Sequence, residues 1–211
     1  MNVFYLDENP QKAASYHCDK HVVKMIVEYA QLLSTTHRIL DGDLYYDKTK
    51  NGSKIKRWKL ENETKENVIY KASHINHPSN IWTRSSSKHY DWLYNCFIEL
   101  GLEFERRYKK EHSEIKLDSL DKITAKKLEK LLLSDDYSDI ELGLEFERRY
   151  KKEHSSILKL HNILKEKPKN IKDNGFVEPP PAMPNYCKIK NNSVASYKRY
   201  YAMEKHFAKW E

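Results

Sequence analysis

Apolar residues recur at helical spacing over two stretches too long for strands, and this periodicity constrains the fold more than any other feature of the chain. In the first, Cys18, Val22, Met25, Ile26, Tyr29, Leu32 and Leu33 mark one face of a helix expected from Gln11 to about Ile39. Asn9-Pro10 suits its start and Gly42 its end. In the second, Trp82, Ser85, His89, Trp92, Cys96, Leu100, Phe104 and Tyr108 follow His77-Pro78 as one long stripe. A last helix is expected from Val194 to Trp210, with Tyr197, Tyr201, Phe207 and Trp210 broadly on one side. It follows a loop through Pro179-Pro180-Pro181 that cannot be helical. The expected class is all-α: a compact bundle of long helices with at most a small β-hairpin.

One segment complicates this plan. Ile98–Ser113 recurs letter for letter as Ile140–Ser155, the mark of a segmental duplication and not of a solenoid, which needs more copies. Residues 114–155, one copy plus its spacer, therefore read as a helical insertion within a single domain spanning residues 1–211. The two copies are expected on antiparallel helices, the default for short connections.

The chain of 211 residues carries a formal net charge of +7, which favours a polyanionic partner. Its 15 Tyr and four Trp supply core area and flat faces on which bases can stack. Cys18, Cys96 and Cys187 are odd in number and far apart, so neither a disulfide framework nor a cysteine zinc site is expected. The start, MNVFYLDENPQK, lacks the pattern of a signal peptide, and no apolar run approaches the ~20 residues that span a bilayer. A cytoplasmic protein with no membrane partner, and a monomer, is the expectation. Lys48, Lys50, Lys54, Lys56, Arg57 and Lys59 cluster without an acid around Asn51-Gly52. Asn-Gly between Tyr45-Tyr46 and Ile55–Trp58 fits a hairpin. The cluster reads either as a solvated loop or as a basic finger on DNA with Trp58 near its tip.

His17, His21, Lys24 and Glu28 lie on the stripe opposite the apolar one of the first helix. Spacing alone reads Lys24–Glu28 as an exposed i, i+4 pair. His17 and His21 share that spacing, which zinc sites also use, so a metal-dependent nucleotide or nucleic-acid hydrolase drawing on His74 or His77 is a second reading. Gly-rich phosphate loops, nucleophile elbows and dinucleotide fingerprints are absent from the sequence.

The run Cys18-Asp19-Lys20-His21-Val22-Val23-Lys24-Met25-Ile26-Val27-Glu28 resembles the first helix of the pyrimidine-dimer DNA glycosylase family, of the endonuclease V type. Asp19, Lys20, Lys24, Val27 and Glu28 match its register. Asn76-His77-Pro78 with Trp82 resembles an Asn-His-Pro-x-x-x-Trp signature of the same group. Ser196-Tyr197-Lys198-Arg199-Tyr200-Tyr201 is similar to the aromatic-basic tail of its phage member. The likeness covers residues 1–113 and, more loosely, 156–210.

The resemblance implies excision of a damaged or modified pyrimidine followed by AP-lyase cleavage, without a cofactor or metal. The essential acid maps to Glu28, and the nucleophile, a chain's own α-amine, to Met1, because Asn2 is too large to favour Met removal. An α-amine titrates near ~8 against ~10.4 for a lysine, so a useful fraction is nucleophilic at neutral pH. The arginines that flank the family's glutamate are replaced here by Val27 and Gln31, and Arg38 is a further candidate for backbone contacts. Contacts to DNA are expected from Lys20, His21, Lys24, Lys54, Lys56, Arg57, His77, Trp82, Arg84, Lys198, Arg199, Tyr200 and Tyr201. If the family is phage-borne here, the compartment is the host cytoplasm. A DNA-binding protein of the same fold without catalysis is a third reading.

Overall fold

The computed structural model describes residues 1–114, 159–206 and 208–210. Among these the fold is mostly helical, with one two-stranded antiparallel hairpin. No helix among the described residues is long and apolar enough to cross a membrane. The second copy, 140–155, and the insertion's internal arrangement lie outside the described residues, as does Phe207.

Helices α1 (Pro10–Ser15) and α2 (Asp19–Asp41) replace the single helix expected from Gln11. Asn9 caps α1 through its side chain, which accepts the Gln11 and Lys12 amides. The chain then leaves the helix over Tyr16–Cys18, and the side chain of Arg107 enters the break. Its guanidinium donates to the carbonyls of Ser15 and His17, each at 3.0 Å, to Asp19 at 2.6 Å and to Glu103 at 2.5 Å. Carbonyls orphaned at the end of α1 are thus satisfied by a buried cation.

Gly42 ends α2 and leads into β1 (Asp43–Lys48) and β2 (Lys54–Lys59), paired in register from Asp43↔Lys59 to Lys48↔Lys54. The turn is Thr49 to Ser53, with Gly52 at φ 78°, the left-handed conformation that explains the Asn51-Gly52 pair. Trp58 pairs with Leu44 near the base, not near the tip where the basic-finger reading put it. The base is pinned by Arg38, which is buried and reaches the carbonyls of Trp58, Glu66, Ile69 and Tyr70 and the Glu66 carboxylate. Arg38 is therefore unavailable to a phosphate. Gly42 is needed here, because an added Cβ would stand 2.6 Å from the Arg38 carbonyl oxygen and 3.1 Å from that of Lys59. Gly42→Ala is expected to destabilise the protein by about 1–3 kcal/mol in urea unfolding. An unchanged midpoint would show that the junction yields freely.

After α3 (Glu63–Val68) the stripe that starts at Pro78 is split into α4 (Pro78–Ser85) and α5 (Ser87–Glu114). Ser86 is extended at φ −153°, ψ 144°. Three consecutive serines compete with the backbone at this point, and the loop at 172–175 wedges in. Ser86 Oγ donates to the Gly175 carbonyl at 2.6 Å, and the Ser87 amide to that of Lys172 at 2.8 Å. The first copy of the repeat forms the far half of α5. Residues 159–164 are helical and pack on α5, where Tyr90 donates to the Leu164 carbonyl and Tyr94 stacks on His161. The last helix, α6 (Ser193–Glu204), is shorter than expected, and Trp210 is exposed beyond it. The tail still holds, since Lys209 accepts the Asp19 amide and the Trp210 indole donates to the Tyr16 carbonyl.

The first residues run extended against α2 and α5. Val3, Phe4, Tyr5 and Leu6 are all buried. The Phe4 amide donates to Tyr29 Oη at 3.1 Å, and the Trp92 indole to the Glu8 carbonyl at 2.8 Å. This threading fixes where the chain begins relative to α2.

Candidate active site

Three donors converge on Glu28, in the middle of α2. The Asn2 amide lies 3.2 Å from Oε2, the Met1 α-amine 3.7 Å from the same oxygen, and Lys24 Nζ 3.4 Å from Oε1. The Met1 side chain is only 6% exposed, so the terminus is anchored, while the Glu28 side chain keeps 17% exposure and the site meets solvent. Lys24 is largely exposed. The pair that spacing alone made an ordinary surface contact is thus part of a larger cluster.

His77 completes it. As the residue before Pro78 it is extended and caps α4, with Nδ1 accepting the Ser79 amide at 3.2 Å. When neutral, the ring therefore carries its proton on Nε2. Burial, the Met1 ammonium and His74 lower its pKa, while Glu28 opposes them, which puts all four groups within electrostatic reach. The loop before it is tied down from α4: Asn80 Nδ2 donates to the carbonyls of Ser73 and His74, and Arg84 to that of Ile75 at 2.7 Å. His74 is held at φ 47°, a strained conformation for a residue with a side chain. Asn80 and the backbone of Asn2 were not singled out from the sequence, because an Asn near a Pro and an Asn beside a Met carry no distinctive pattern.

The other expected DNA contacts divide by burial. Lys24, Lys54, Lys56, Lys198 and Arg199 are exposed, and Lys20, Arg57 and Tyr200 are half-buried. Trp82 is a core residue, its indole donating to the Val177 carbonyl and its face stacked on His89. Tyr201 and His21 are also buried and hydrogen-bond each other, with Phe4 4.5 Å from the His21 ring. Trp82, Tyr201 and His21 therefore hold the fold and do not meet a phosphate directly. Arg84 is a loop clamp. Lys198 lies over the Tyr16 ring at 4.8 Å, on the flank where α6 meets the break between α1 and α2.

His17 does not join His21 on an open face. It is fully buried, its Nδ1 2.7 Å from the Ala13 carbonyl and its Nε2 toward Tyr29 Oη. Burial lowers the pKa of His17 to about 4 and that of His21 to about 3, so both are neutral core groups. Among the described residues no group of three or more His, Cys, Asp or Glu side chains is arranged to hold a metal. The open cleft at the hairpin base is unsuited to DNA as well. It is lined by Asp43, Glu61, Glu63 and Glu66 and would repel a phosphate chain.

No family model matches this chain, and no curated protein or solved structure is significantly similar to it.

Proposed function

We propose that this protein is a DNA glycosylase with associated AP-lyase chemistry, acting on damaged or modified pyrimidines. One observation carries the reading: an anchored α-amine 3.7 Å from the partly exposed carboxylate of Glu28, in a basic protein. The register of Glu28 in the Asp19–Glu28 motif, and the Asn76-His77-Pro78 cap beside it, add support.

In this reading the neutral amine attacks C1′, forming a C–N bond as the glycosidic bond breaks. The base departs with that bond's electron pair and takes up a proton. The amine gives its proton to Glu28, the sugar ring opens, and a Schiff base to the protein remains. Loss of a C2′ proton then expels the 3′ phosphate, with Glu28 stabilising the cationic sugar and moving protons. A base must leave the stack for any of this to occur, so the cations around the site hold an opened duplex. Asn2 N is 3.2 Å from Glu28, so removal of Met1 would leave a primary amine at the same carboxylate.

Borohydride reduction during turnover of ultraviolet-irradiated duplex, in EDTA, tests the proposal. A covalent protein–DNA adduct is expected, with mass spectrometry placing the sugar remnant on the N-terminal peptide. An adduct on an internal lysine, or excision without any adduct, removes the amine from the mechanism. Activity abolished by EDTA would restore a metal-dependent reading.

A further inference from the structure

The hairpin separates its charges by face. Directly paired residues of antiparallel strands point to the same side, and successive residues to opposite sides. Leu44, Tyr46 and Lys48 thus share a face with their partners Trp58, Lys56 and Lys54. That face holds three lysines and no carboxylate. The reverse face carries Asp43 and Asp47 among Lys59, Arg57 and Ile55, and at its base Asp43 and Lys59 line the acidic cleft with Glu61 and Glu63. Tyr46, Lys48, Lys54 and Lys56 are all exposed. Lys54 Nζ sits 3.9 Å above the Tyr46 ring, which orients its ammonium group on this side.

We infer that the face formed by Tyr46, Lys48, Lys54 and Lys56 is a docking surface for the phosphate backbone of duplex DNA. Lys48 and Lys54 stand directly opposite each other, an arrangement that repels in the free protein and is relieved by an anion between them. Lys54 and Lys56 project about 6.7 Å apart along β2, so their ammonium groups can reach separate phosphates of one strand. A two-stranded ribbon is also narrow enough for a groove about 12 Å wide. The choice of DNA rests on the proposed function; the asymmetry of the faces does not. Of the cluster in the sequence, Arg57 and Lys59 belong to the other side.

The test compares two double variants that remove the same charge from the same strand. Binding of a short undamaged duplex is measured against salt for Lys54→Gln/Lys56→Gln and for Arg57→Gln/Lys59→Gln. The first is expected to weaken binding and to lower the log–log salt slope by about 1.8, two lost phosphate contacts. The second should stay near the wild-type slope, and Lys54→Arg/Lys56→Arg should restore it, which separates charge from folding. Equal losses in the two Gln doubles, or none in the first, would overturn the inference. So would loss of binding to phosphatidylserine vesicles in Lys54→Gln/Lys56→Gln with duplex binding unchanged, since the face would then serve a membrane surface. Excision is read separately on irradiated duplex: face-dependent binding of the undamaged duplex with no excision of the irradiated one retires the glycosylase and keeps the face, whereas excision with equal slopes does the reverse.

Discussion

Glu28→Gln is expected to lower base excision at least about a hundredfold, the usual scale for a lost acid–base group, with duplex affinity nearly unchanged. The amide is isosteric, so its oxygen still accepts the Asn2 N–H at the 3.2 Å site and the first six residues keep their path along α2. It has no charge to balance the Met1 amine or Lys24, and it cannot receive a proton. The defect should therefore fall on the chemical step, visible in single-turnover excision, with the melting temperature close to that of the wild type. Equal excision by both forms would show that the carboxylate is a structural clamp for the terminus and that the chemistry lies elsewhere.

Acid should unfold this protein early. His17 and His37 have pKa values lowered to about 4, and His21 to about 3, in each case chiefly by burial. The unfolded chain takes up these protons near pH 6.5, while the folded one resists until pH 3–4, so between those limits the unfolded state binds more protons. Stability is thus full above pH 6.5 and falls as the pH drops toward 4. At pH 5 each histidine accounts for about 2 kcal/mol, and the three together for roughly 6 kcal/mol, as much as many domains possess. Urea unfolding at pH 7 and pH 5 measures the difference. A flat profile would mean that these rings gain a proton without leaving their sites.

The helical class was legible because long amphipathic periodicity has few other solutions, and the hairpin because Asn-Gly admits the left-handed turn at Gly52. The helix breaks at Tyr16–Cys18 and Ser86 were not. Both are set by partners distant in sequence, Arg107 in the first case and Lys172 with Gly175 in the second. Local spacing carries no trace of such partners. For the same reason Arg38, Trp82 and Tyr201 read as candidate DNA contacts, although Arg38 is buried among carbonyls and the two aromatics belong to the core. At the candidate site, Glu28 and Lys24 were visible as a pair. The approach of residues 1 and 2 was not, because nothing in MNVFYL says which turn of α2 it will lie beside.

One uninterrupted helix joins the two parts of the molecule proposed to meet DNA. Glu28 and Arg38 sit on the same uninterrupted helix, and Arg38 holds the base of the hairpin through the carbonyls of Trp58, Ile69 and Tyr70. Their separation is about 15 Å, set by helical rise alone. Gaining or losing one residue between them would swing the ribbon about 100° around the helix axis relative to the carboxylate. This segment therefore acts as a ruler and a goniometer at once. Its letters can vary wherever packing allows, but its length cannot, and a single-codon insertion here should be far less tolerated than a longer one at the Thr49–Ser53 turn.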